Sequence, residues 1–346
     1  MWTTLRLGVC AALAWAAWAG PVDFGRQELD RAIAERGLSP ARFRVQVELS
    51  TEAPESFRIA PGLISGGDLR GLMYGLIEAA AQVRQRGRLI AAKGAPATAI
   101  RGVRLCLQPS DLQADWYKSP AHWQELSATL ARSRINRLTL VYRDQPLAEL
   151  AGGPGLAILR DISDAAAEHA IDLALGVETV PAELSADDPL KRLLDAFPTI
   201  RVVQASLGAN EQQIAAYRDW LFTTTRGAGR RVVVEIPDSD LTSGLIEAAR
   251  QAGQPLRVVA KYGDRTAAAK PGPEELLWRI EAGDSAQQHS WNDPVFVRKT
   301  TASLAQGGSA GFEIEPPDKA SRLFYMLWGR LSYDPKTPDT VWSKEI

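Results

Sequence analysis

Two glutamates stand two positions apart in "GFEIEPPD", where Glu313 and Glu315 alternate with Phe312 and Ile314 as in a short strand. A pair of carboxylates can divide glycosidic chemistry between a proton donor and a nucleophile or base. The same context recurs at Glu178 in "LGVETVP" and Glu235 in "VVVEIPD". A carboxylate among apolar residues near a strand end is costly unless it is paired or faces an opening. Glu178, Glu235 and Glu315 are therefore the candidate catalytic acids. The competing reading for Glu178 is an ion pair with Arg104 or Arg143, and for Glu235 neutralisation by Lys261. Arg104, Arg143, Lys261, Tyr262 and His289 are candidate substrate contacts, and Trp291, with Trp278, a candidate sugar-stacking platform. The competing readings are a satisfied strand histidine and packed tryptophans.

These side chains need a scaffold that brings strand ends together. From residue 100 onward the sequence alternates short apolar runs with helical segments: 102–107, 137–142, 172–179, 201–207, 231–237, 256–262, a weak seventh at 286–291, and 311–316. Ser119-Pro120 and Asp188-Pro189 read as helix starts. Spacings of about 25 to 35 residues suit one strand, one helix and two loops, so the alternation predicts a parallel (β/α)8 TIM barrel. An open doubly wound sheet is the alternative, but no G-x-G-x-x-G follows the first strand. In a barrel, active sites gather where strands end. Alternation then turns Glu313 and Glu315 inward, Glu313 deeper and paired with a group such as Arg104, Glu315 at the mouth with a partner from strand three or five.

Before the barrel, a helix-like "RQELDRAIAERG", strands at 43–49 and 57–60, and a helix from Asp68 to Gly87 make a small α/β unit. The segment 91–99 reads as the linker out of it. The expected division is a signal peptide over 1–19, the small domain over 20–97 and the barrel over 98–346.

The net charge of −1, from 40 basic and 41 acidic side chains with no dense basic run, argues against nucleic acid or an anionic membrane as partner. The apolar run behind Arg6, ending in Ala17 and Ala19, reads as a cleaved secretory signal, which implies a secreted or periplasmic protein with no membrane contact after cleavage. An uncleaved anchor is the alternative. Cleavage leaves Cys106 as the remaining cysteine, and His122, His169 and His289 have no ligand spacing, so neither metal nor cofactor is expected.

The stretch "FRIAPGLISGGDLRGLMYGLIEAAAQVRQRG" resembles the small N-terminal domain of β-N-acetylhexosaminidases and α-glucuronidases, and "RGVRLCLQPSDLQADWYKSPAHWQELSATLARSRINRLTLVY" is similar to the first barrel repeat of bacterial glycoside-hydrolase-like proteins. "LALGVET", "AKYGD", "WNDPVFVRKTTASLAQGGSAGFEIEPPD" and "FYMLWGRLSYDPKTPDTVW" extend the likeness. It implies a glycoside hydrolase acting on polysaccharide or oligosaccharide through paired carboxylates. The Asp-Glu pair that hexosaminidases carry at strand four is replaced by "QASLGANEQQ". A non-catalytic carbohydrate-binding barrel is therefore the second reading, and a lyase or isomerase on the same fold the third.

Overall fold

The computed structural model describes residues 20–143, 147–177, 188–205, 211–238, 242–262, 275–281, 291–317 and 321–342. They fall into two compact units: one of residues up to Ala97 with Ala167–Ala170, the other of Thr98–Ala166 with residues from Ile171 onward.

In the first unit, helices α1 (Pro21–Glu35) and α2 (Leu69–Arg86) accompany a four-stranded sheet of β1 (Gln46–Leu49), β2 (Phe57–Ala60), β3 (Leu63–Gly66) and β4 (Ala92–Gly94), in the order β1-β3-β2-β4. Helix α2 begins where the Asp68 carboxylate accepts the Gly71 N–H, and ends at Gly87, whose φ of 65° is the left-handed C-terminal conformation that glycine tolerates. Its apolar face, with Leu72, Leu76 and Val83, is buried. The expected linker is partly sheet: β4 pairs antiparallel with β2, matching Arg58 to Lys93. Three residues without bulky apolar side chains carry too weak a pattern to announce an edge strand.

The second unit is a closed barrel of eight parallel strands: β5 (Ile100–Leu107), β6 (Arg137–Tyr142), β7 (Asp172–Val177), β8 (Ile200–Ala205), β9 (Val233–Pro237), β10 (Leu256–Lys261), β11 (Leu276–Glu281) and β12 (Gly311–Glu315). β12 closes on β5, matching Glu313 to Gly102. A Cβ at Gly102 would lie 2.8 Å from Glu313 Cγ, so the missing side chain there makes room for the glutamate. The barrel's α-helices include α3 (Pro109–Gln113), α4 (Asp115–Lys118), α5 (Pro120–Arg132), α6 (Leu147–Leu150), α7 (Gly153–Glu168), α8 (Pro189–Ala196), α9 (Glu211–Gly227), α10 (Thr242–Gln251), α11 (Pro294–Gln306) and α12 (Arg322–Tyr333). Ser119 and Asp188 cap α5 and α8 through their side chains, each with proline at the first turn, as the sequence implies.

The seventh strand differs from expectation. It is Leu276–Glu281 rather than 286–291, whose first five residues lie outside the described residues and whose last, Trp291, lies in a turn. Arg279 faces the interior, where it meets Gln204, while Trp278 and Ile280 face outward; the charges of Arg279 and Glu281 cut the apolar run "LLW" to three residues, short of the roughly four or more that mark a buried strand.

Candidate active site

Parallel strands deliver all their C-terminal ends to one face, and alternation sends every second side chain inward. On β12, Phe312 points out to the Trp328 ring of α12, 5.7 Å between centroids, so Glu313 and Glu315 point in. On the neighbouring strands the inward set includes Arg104, Arg137, Gln204, Glu235, Arg257 and Arg279, whose side chains meet across the interior.

The deeper layer is a closed ionic network. Arg137 donates through Nη1 and Nη2 to the two oxygens of Glu235, at 2.7 and 2.5 Å, and its Nη2 lies 2.9 Å from Glu313 Oε1. Thr139 donates to Glu313 Oε1, and Gln204 Nε2 to Glu313 Oε2 at 2.9 Å. Arg257 Nη1 reaches Glu235 at 3.4 Å. Both glutamates have 0% exposure. Burial alone would raise the Glu235 carboxyl, but the charges of Arg137 and Arg257 and the hydrogen bonds from Arg137 and Gln204 overcome it and hold the group below the usual carboxylate range.

Above this layer the interior opens. Arg104 donates through Nε to Gln204 Oε1 at 3.0 Å and through Nη1 to Glu315 Oε2 at 2.9 Å and to the Cys106 sulfur. Burial raises the Cys106 thiol, with Arg104 acting in the opposite sense, so the sulfur serves as a neutral acceptor. Arg279 Nη2 shares the same Gln204 oxygen at 3.3 Å. Glu281 and Glu315 are register partners at the ends of adjacent strands. The Glu281 side chain is 39% exposed and lies 3.0 Å from Lys261 Nζ, while Glu315 is 28% exposed.

The expected residues separate accordingly. Glu315, Arg104 and Lys261 stand at the C-terminal mouth, with Arg143 following the end of β6 and Tyr262 the end of β10. Tyr262 sets its ring edge-on to Trp278, 6.0 Å between centroids, and Trp278 is directed outward from the barrel. Glu235 is not at the mouth: it lies in the buried layer, neutralised by Arg137 and Arg257 rather than Lys261. Glu313 is a structural acid, as its depth suggests, but its cation is Arg137 and not Arg104. Trp291 is no open platform; it is 7% exposed and packs against Phe296 and Trp328, with ring centroids 5.4 and 5.9 Å away. Glu178 and His289 lie outside the described residues. Asp111 accepts the Gln108 N–H at the start of α3, a capping role.

Three mouth residues escaped the sequence: Glu281, Arg279 and Gln204. The first two sit on the displaced seventh strand, where alternating inward Leu277, Arg279 and Glu281 was the available signal. Gln204 carries no charge and announces nothing until the strands close around it. Among the described residues no group of three or more His, Cys, Asp or Glu is arranged to hold a metal ion. The surface clefts of 410 and 580 Å³ lie along α9, between it and α10 or α8, on the barrel's flank rather than its mouth.

No protein-family model and no curated protein matches the sequence. Solved structures do match in fold. A GH138 enzyme targeting pectin rhamnogalacturonan II superposes with a TM-score of 0.71 at 15% identity over 93% of this chain, and the chain spans 64% of that protein's length. The GH84 protein CpGH84B superposes with a TM-score of 0.52 at 11% identity, over 93% of this chain and 68% of its own. The structural neighbours are thus glycoside hydrolases, and the fold shared with them is a parallel eight-stranded barrel.

Proposed function

We propose that the protein is a glycoside-hydrolase-like barrel that acts on glycosidic bonds of a polysaccharide or oligosaccharide at its C-terminal mouth, with Glu281 and Glu315 as the working carboxylates. The observation that carries this reading is their register pairing: two partly exposed acids at one level, on adjacent strands, facing the same opening. Neighbouring strands lie about 4.8 Å apart, closer to the roughly 5 Å of a double-displacement carboxylate pair than to the wider separation that accommodates an attacking water. In that chemistry one carboxyl protonates the departing glycosidic oxygen while the other bonds to the anomeric carbon. Water, deprotonated by the first, then releases the sugar and restores both groups. Arg104 and Lys261 would hold the two acids in place, with Arg143 as a substrate contact; the Tyr262 ring, packed on outward-facing Trp278, is a packing group.

Glu178, which directly follows Val177 at the end of β7 in the sequence, stays a proposed third acid of the same rim. The likeness of the N-terminal unit to the hexosaminidase and α-glucuronidase type, and the leader-like residues 1–19, support a secreted or periplasmic carbohydrate enzyme; N-terminal sequencing of the exported protein tests the latter. A pectin-directed enzyme among the structural neighbours supports a glycan substrate.

The second reading is a barrel that binds carbohydrate without turnover. It is favoured by the ion pairing of the inward acids: Glu235 and Glu313 to Arg137, Glu315 to Arg104, Glu281 to Lys261. Hydrolysis of a glycoside panel by wild type and by Glu281→Gln and Glu315→Gln decides. Turnover lost in both variants supports the hydrolase; glycan binding with no turnover in wild type selects the binding protein.

A further inference from the structure

We propose that Arg279 and Arg104 together form a carboxylate-binding site in the barrel mouth that receives the acid group of an acidic sugar. This deepens the carbohydrate reading of the mouth and rests on it. Among the described charged residues around the mouth, each inward cation but one has a carboxylate within ion-pair distance. Arg137 and Arg257 are met by Glu235 and Glu313, Lys261 by Glu281 and Arg104 by Glu315. Arg279 is left over: no described carboxylate lies within ion-pair distance, and its hydrogen bond goes to the neutral amide oxygen of Gln204.

That same oxygen already accepts Arg104 Nε, so two guanidinium groups converge on one uncharged acceptor. Like charges brought together inside a barrel repel: burial and the Arg104 charge both act against the charged form of Arg279, and Glu313 and Glu281 support it only from beyond ion-pair distance. Arg279 Nε is buried without an acceptor, so the side chain still has unmet donor capacity. A bound carboxylate relieves both conditions: it supplies the missing negative charge and accepts from a planar fork whose geometry matches its two oxygens. A neutral sugar hydroxyl supplies neither. The mouth around it, with Glu281 and Glu315 on the adjoining strands, places the acid group beside the proposed cleavage point.

The test is calorimetric titration of the full chain with D-glucuronate and D-galacturonate, with the neutral D-glucose and D-galactose, and with inorganic sulfate. The expected result is a preference for a uronate over its neutral counterpart of at least about tenfold, lost in Arg279→Gln. If that variant fails to fold, Arg279→Lys, which keeps the charge and loses the fork, should weaken the preference. Equal binding of uronates and neutral sugars by wild type, or a preference that survives both substitutions, overturns the site. Sulfate binding without uronate binding overturns its assignment to a sugar acid. Neutral sugars bound without acid preference sink this inference and leave the carbohydrate reading standing. A uronate preference without hydrolysis supports the site while removing the hydrolase.

Discussion

Arg137 and Glu235, 98 positions apart in the chain, meet inside the barrel in a two-handed salt bridge of 2.7 and 2.5 Å that water does not reach. The pair turns a sequence candidate for catalysis into part of the scaffold beneath the mouth. Breaking a buried pair from one side leaves the other charge uncompensated, which costs about 3–5 kcal/mol. Glu235→Gln should lose stability of that order by urea denaturation, while glycan affinity in the folded fraction stays unchanged.

Acid should act through the same carboxylate. Because the folded Glu235 titrates below its unfolded value of about 4.3, its contribution to stability is present above that pH and fades as pH falls through the lower folded value. Wild type should therefore lose stability on acidification below about pH 4.3, and Glu235→Gln should show a shallower acid limb in equilibrium unfolding.

The carboxylates at the mouth make the opposite prediction, with function affected more than stability. Replacing Glu281 or Glu315 by glutamine should lower kcat by about 10²–10⁴ on a cleaved glycoside, with a melting temperature close to wild type. The side-by-side placement further predicts retention of anomeric configuration, read by proton NMR of the first product formed. An inverted product would remove the adjacent pair as the catalytic one.

Gly102 tests the fit between strands. Its α-carbon stands where a methyl group would collide with the Glu313 side chain, so Gly102→Ala should destabilise by about 1–3 kcal/mol, measured by chemical denaturation. The damage should spread to the Glu313 network and leave the first unit's stability unchanged.

Trp291 supplies a check on the platform idea. Buried beside Phe296 and Trp328, with its carbonyl accepting the Trp328 indole N–H at 3.1 Å, it is a packing residue. Trp291→Ala should cost about 3–5 kcal/mol of stability, and Trp291→Phe much less. A Trp291→Phe variant that keeps its fold and loses sugar binding would return the ring to the site.

Local patterns were readable from the residues alone. Apolar runs separated by capped helices gave seven of the barrel strands, because strand and helix periodicity is written within each element. Alternation likewise told that Glu313 and Glu315 share a face and that Glu313 is the deeper. What closure of the barrel decided is which charge meets which: Glu313 with Arg137, Glu235 with Arg137 and Arg257, and Arg104 with Glu315. Those pairings depend on the register of strands far apart in sequence, and no neighbour along the chain records it. The seventh strand was hidden for the same reason. Its inward Arg279 and Glu281 look like surface residues until seven other strands enclose them and make the interior polar, and in that enclosure lies the cation left without a carboxylate.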